Sequence, residues 1–192
     1  MLILSVFASV VSGIAFSCDA KVVSILPIPR GESLRQVHAM LGEVYSVKAF
    51  KYVIYDNACG LAMFARNSQR SGGTPTNAPL AQLTYVLDRW HMRNHTACLD
   101  PFHSHYLPEV SMYEHESLQG VNSSLNESFN AWVDRFVGMT SHMHPIVFSV
   151  FMLLTADLWN RFVVPRGIAH AETYAVQTRA GHLRRYRAPF RR

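Results

Sequence analysis

Charge is thin in this sequence. Asp, Glu, Lys and Arg make up 16% of its 192 residues, while hydrophobic residues reach 49%. That balance excludes a disordered polyelectrolyte and supplies apolar side chains for one sizeable core. Cysteine is scarcer still. Three residues, an odd and small number, exclude a secreted disulfide scaffold. No Lys or Arg precedes Lys21, so the apolar start MLILSVFASVVSGIAF lacks the charged opening of a secretory signal. The run is also too short to cross a bilayer as a helix. We therefore read residues 1–20 as folded chain rather than leader, and expect no membrane partner. No internal repeat occurs, and the length fits one domain with a tail.

The little charge present is unevenly placed. Residues 1–165 hold 11 Lys and Arg against 12 Asp and Glu, a net of −1, whereas residues 166–192 hold seven Arg and one Glu, a net of +6. The expected division is a domain over 1–165 and an Arg-rich, disordered tail over 166–192, where attraction to phosphate is strongest. Within the domain, Val6, Val10, Val11 and Ile14 make the opening run a buried strand. Lys21 to Ile28 pairs with it as a hairpin and ends at Pro27 and Pro29. Leu34, Val37, Met40, Leu41 and Val44 have helical spacing behind Ser33 as N-cap. Short strands follow at 52–55 and 83–87, separated by a helix over 58–66 and a loop over 68–79. An irregular insertion rich in His spans about 88–117. A helix from about 122 to 138 and another from Pro145 to about Phe162 complete the domain. Alternating strands and helices imply a layered α/β fold.

Three blocks of sequence then stand out in order: Tyr55-Asp56-Asn57-Ala58-Cys59; Asp88-Arg89-Trp90-His91 continuing through His95 to Cys98; and Asn122-Ser123 through Glu127 to Asn130. Together they resemble the Kyakuja–Dileera–Zisupton transposases, eukaryotic DNA transposon enzymes often associated with CxC cysteine-cluster domains. That family has a Tyr-Asp-x-Ala-Cys block, an Asp-x-Phe/Trp-His-x-x-x-His-x-x-Cys block and an Asn-Ser/Thr-x-x-x-Glu-Gln-x-Asn block. Gly31-Glu32-Ser33 and Leu158-Trp159-Asn160 extend the similarity, which covers roughly residues 6 to 162. The resemblance implies an RNase H-like catalytic domain of the Asp-Asp-Glu type, nuclear location, DNA as partner and Mg²⁺ as cofactor. Such chemistry needs clustered carboxylates. Two cations about 3.5–4 Å apart activate the attacking oxygen and stabilise the leaving one. By resemblance Asp56 is the second acid and Glu127 the third, both Mg²⁺ ligands. On the residues alone, Asp56 reads first as a cap for the helix starting near Ala58 and Glu127 as a solvent-facing helix residue; the flanking blocks reverse the preference for Asp56.

Two departures shape the expectation. Ser128 stands where the family has Gln. The first acid belongs on a strand before the hairpin, and Asp19, the only acid before Glu32, falls in the hairpin turn. The expected fold is thus a partial RNase H-like domain lacking its first strand, with an apolar edge beside Tyr52–Tyr55 and a helical C-terminal region. The expected function is a transposase remnant that no longer cuts. The alternative is a domesticated DNA-binding or zinc-stabilised interaction protein.

A second constellation follows from spacing. His91 and His95 lie one helical turn apart, Cys98 three residues further, and Cys59 just after the strand that neighbours theirs. Four such donors suit tetrahedral, structural Zn²⁺. The competing reading makes Cys59 and Cys98 small buried hydrophobes and His91 a hydrogen-bonded core residue. His103, His105 and His115 read as solvated. Arg89, Arg93 and Arg135 are candidates to grip DNA phosphates.

Overall fold

The computed structural model describes residues 3–8, 12–17, 19–27, 33–72, 78–89, 91–119, 121, 125–140 and 142–165. Five strands form one sheet: β1 (Ile3–Ala8), β2 (Ser12–Ser17), β3 (Val22–Pro27), β4 (Tyr52–Ile54) and β5 (Thr84–Val86), in the order β3-β2-β1-β4-β5. β2 runs antiparallel to both β1 and β3, whereas β1, β4 and β5 are parallel neighbours. Polar chemistry closes the β2–β3 turn. The Ser17 N–H donates to the Lys21 carbonyl at 2.9 Å, Asp19 accepts from the Ser17 hydroxyl and pairs with Lys21, and Ala20 adopts a positive φ.

Two expectations are corrected here. The opening run is two strands rather than one, and β4 has no open edge, because β1 lies on one side of it and β5 on the other. The cause of the misreading is physical. Strands covered on both faces read as near-continuous apolar runs, and residues 3–17, broken by small Ser, Ala and Gly alone, show no period that marks where one strand ends and the next begins.

Both faces of the sheet are covered. Helices α1 (Leu34–Val47) and α2 (Ala58–Arg66) lie on the first face, followed by one short turn, α3 (Ser68–Ser71). Val37, Met40, Leu41 and Leu61 pack there with Val53, Tyr55, Tyr85 and Leu87. The strict alternation of β4 sends Tyr52 and Ile54 the other way, against Met112 and Leu118. These last two come from the insertion. It contains α4 (Thr96–Leu99) and several 3-10 turns, and it covers the sheet as an irregular but packed layer. Alongside it on the same face lie α5 (Leu125–Val133), α6 (Val137–Thr140) and α7 (Pro145–Leu158), the last continuing as a π-helical turn over Trp159–Val163. Ile14, Phe16 and Val22 meet Phe129, Met152 and Trp159 in this second cluster. Its rings stack edge to face, as Phe16 on Phe129 and Phe129 on Trp159.

The helix boundaries follow from local chemistry. The Ser33 hydroxyl accepts the Gln36 N–H and caps α1 as the sequence predicts. Pro145 opens α7 behind His144, whose Nδ1 accepts the Ile146 N–H. The far end of α7 is tied to the sheet. The Asn160 side chain accepts the Val22 N–H at 2.8 Å and donates to the Val22 carbonyl at 2.9 Å, while the Trp159 indole donates to the Ala20 carbonyl. Asn160 thereby satisfies backbone groups on the outer edge of β3, where an unprotected strand invites intermolecular pairing. Pro145–Val163 spans 19 residues with a mean hydropathy of 1.5, long and apolar enough to cross a membrane by those two measures, and is 22% buried. Residues 166–192, expected to be a disordered tail, lie outside the described residues.

Candidate metal centre

The parallel strands β4 and β5 end side by side, and their continuations carry the chemistry. Ile54 pairs with Val86, so Asp56 and Asp88, each two residues further on, sit at the same level of the sheet. Ends of parallel strands are where α/β sheets gather their sites, because the chain turns there with backbone groups unspent. Asp56 is not the cap of α2. That place belongs to Asn57, whose side-chain oxygen accepts the Gly60 N–H. A Cβ on Gly60 would stand 2.6 Å from that oxygen, so the cap requires glycine there. Asp56 instead accepts the Asn57 N–H at 2.7 Å. Burial raises the pKa of its carboxyl above the usual carboxylate value, only partly opposed by that hydrogen bond and by His91.

Three donors converge beside it. Cys59 comes from the first turn of α2, His95 from the residue before α4, and Cys98 from α4 itself. The Cys59 Sγ lies 3.4 Å and the Cys98 Sγ 3.6 Å from the His95 Nδ1, and the three donor atoms all lie within 4.8 Å of one another. Zn–S bonds of about 2.3 Å and Zn–N bonds of about 2.0–2.1 Å at a tetrahedral angle imply S···N edges of about 3.5 Å. The group matches that spacing and could bind a metal ion. His95 is prepared for it. Burial lowers its pKa, which favours the neutral ring, and its Nδ1 faces both sulfurs. Burial, together with the neighbouring Cys59, pushes the Cys98 thiol up to about 11. A cation placed between the sulfurs reverses that preference.

His91, expected as a fourth donor, is near but differently employed. Its Nδ1 meets the Asp88 Oδ2 at 2.5 Å, and its backbone N–H donates to the Asp88 Oδ1 at 2.9 Å. Asp88 carries no role in the sequence reading, although it stands after β5 just as Asp56 stands after β4. That equivalence is the signal that could have found it. Glu127 lies on α5, which packs against β1 and β2, and its side chain lies outside the described residues. His115 is not merely solvated. Its Nε2 meets the Glu109 carbonyl at 2.8 Å and its ring packs edge-on to Tyr52. Arg89 is spent on the insertion, donating to the carbonyl of Gln119 at 2.6 Å, whereas Arg93 and Arg135 are exposed. Comparison of the chain with models of protein families, with curated proteins and with solved structures found no match.

Proposed function

We propose that this chain is an RNase H-like relative of the Kyakuja–Dileera–Zisupton transposases in which a zinc ion braces the C-terminal edge of the sheet and DNA strand cleavage is lost. The observation that carries the reading is β1. In an RNase H-like domain the first acid lies on a central strand beside the strand that ends in the second acid. β1 is the central neighbour of β4, and its sequence, Ile-Leu-Ser-Val-Phe-Ala, holds no carboxylate. Its register with β4, continued by two residues, sets Phe7 level with Asp56. A sheet in which only β2 runs against the others, with helices after β3 and β4, also supports an RNase H-like domain.

Asp56 and Glu127 alone lack the ligand that two Mg²⁺ ions share, so metal-assisted cutting belongs to the ancestry of the chain. Zinc is the metal that suits two thiolates and an imidazole. His91 stands outside that three-donor group, its Nδ1 held by the Asp88 carboxylate. What remains is a nuclear, DNA-associated or protein-associated module, whose exposed Arg93, Arg135 and basic residues 166–192 supply attraction for phosphate.

The test is direct. The full chain is purified without added metal, its zinc content is measured by mass spectrometry, and it is incubated with supercoiled DNA and Mg²⁺ or Mn²⁺. One zinc per chain, lost in Cys98→Ser, and intact DNA are the expected results. Nicking that Asp56→Asn abolishes overturns the loss of cleavage. A wild-type chain that neither carries nor takes up zinc overturns the brace.

A further inference from the structure

Helix α7 is largely apolar on both sides, and among the described residues one side of it is packed. Met152, Thr155, Ala156 and, just beyond, Trp159 are buried against the sheet. On the opposite side Ile146, Val147, Val150, Leu153, Leu154 and Leu158 are between 47% and 70% exposed. Their spacing follows the helical repeat, so they form one continuous stripe rather than scattered surface residues. A solvent-facing helix would carry polar residues there. Charge enters this helix only near its end, as the Asp157 to Arg161 pair at 2.8 Å.

We propose that this stripe is the interface between two copies of the chain, paired antiparallel along α7 about a two-fold axis near Val150. Three arguments select this occupant. The first is area. Fully covered, the five residues from Ile146 to Leu154 would remove on the order of 500 Å² per copy, or about 1,000 Å² for the pair, the threshold a biological interface should clear.

The second is self-complementarity. About an axis at Val150, Ile146 of one copy meets Leu154 of the other and Val147 meets Leu153, so the apolar middle of the stripe meets its own copy. The third is electrostatic. The same axis brings Asp157 of each copy to the start of the other's α7, at His144–Pro145. The helix dipole favours a carboxylate at such a start.

The competing occupants fit less well. Residues 166–192 carry seven Arg in 27 residues, too cationic to lie along an uncharged stripe. A bilayer cannot surround α7, because its inner side is packed on the sheet and Trp159 and Asn160 bind the backbone of β3 and the turn before it.

Sedimentation equilibrium of the full, zinc-supplied chain tests the proposal between about 1 and 100 μM. The expected mass is twice the 21.7 kDa of one chain. Val150→Glu with Leu154→Glu shifts it to the monomer while helical circular dichroism is retained. In a second variant, Val150→Cys, the new thiols face each other across the axis, and mild oxidation yields a covalent dimer that wild type does not form. A monomeric wild type at 100 μM, a charge variant that stays dimeric, a folded Val150→Cys chain that does not cross-link, or partition onto anionic vesicles in place of self-association each overturns it.

Discussion

Helices α1 and α7 are each 14 residues long and each lies on one face of the same sheet, yet they treat their outer sides in opposite ways. α1 buries Val37, Met40 and Leu41 and turns Arg35, Glu43 and Ser46 outward. α7 buries Met152 and Ala156 and turns Val150, Leu153 and Leu154 outward. Both helices are held by their inner sides. The outer side of α1 suits water, and the outer side of α7 suits another apolar surface. An amphipathic period therefore reports the surroundings of a helix, while its absence reports that a neighbour is still to be accounted for.

Substitutions sharpen this contrast. The largest effect is expected at the inner root of α7. Trp159→Ala removes a buried indole and its bond to the Ala20 carbonyl, and should cost about 3–5 kcal/mol in urea unfolding. Leu41→Ala, fully buried under α1, should cost about 2–5 kcal/mol by the same measurement. Equal sensitivity of the two inner sides is the point of the pair, and a loss below about 1 kcal/mol at either position breaks the comparison.

Smaller effects probe the ends and the outside. Burial lowers the pKa of His38 on the inner side of α1. Below about pH 6.5 the unfolded chain binds a proton that the folded one resists, so stability falls on acidification. Thermal melts from pH 7.5 to 5 should fall less steeply in His38→Gln, with His95, lowered in the same direction, keeping part of the slope. Ser33→Ala, which removes the α1 cap, should cost about 1 kcal/mol. Least of all, Leu153→Lys on the outer side of α7 should leave monomer stability within about 0.5 kcal/mol of wild type while raising solubility. A loss of several kcal/mol in a dilute, monomeric sample would show that the stripe is covered within the chain itself.

The parts of the fold legible in the sequence were those with local chemistry. Ser33 marked the start of α1, Pro145 the start of α7, and the Ser17–Asp19 cluster the turn between β2 and β3. The break between β1 and β2 was not legible, since nothing within the described strands distinguishes one fully covered strand from its neighbour. The candidate metal group was legible as spacing. His-x3-His-x2-Cys placed two donors together, and adjacency of β4 and β5 brought Cys59 to them. The diversion of His91 to Asp88 was not, because it depends on a side-chain bond formed only once the turn after β5 is built.

The amide of Asn160 has a consequence in time as well as in space. Its two bonds reach Val22, 138 residues earlier in the chain. At roughly 5–20 residues per second of synthesis, β3 leaves the ribosome about 7–28 s before the group that caps its edge exists. Through that interval the strand is bare, and a nascent chain on a neighbouring ribosome presents the same bare strand. Slower translation lengthens this exposure and faster translation shortens it. The yield of soluble protein should therefore depend on the pace of its making, through a single side chain 138 residues downstream of the strand it caps.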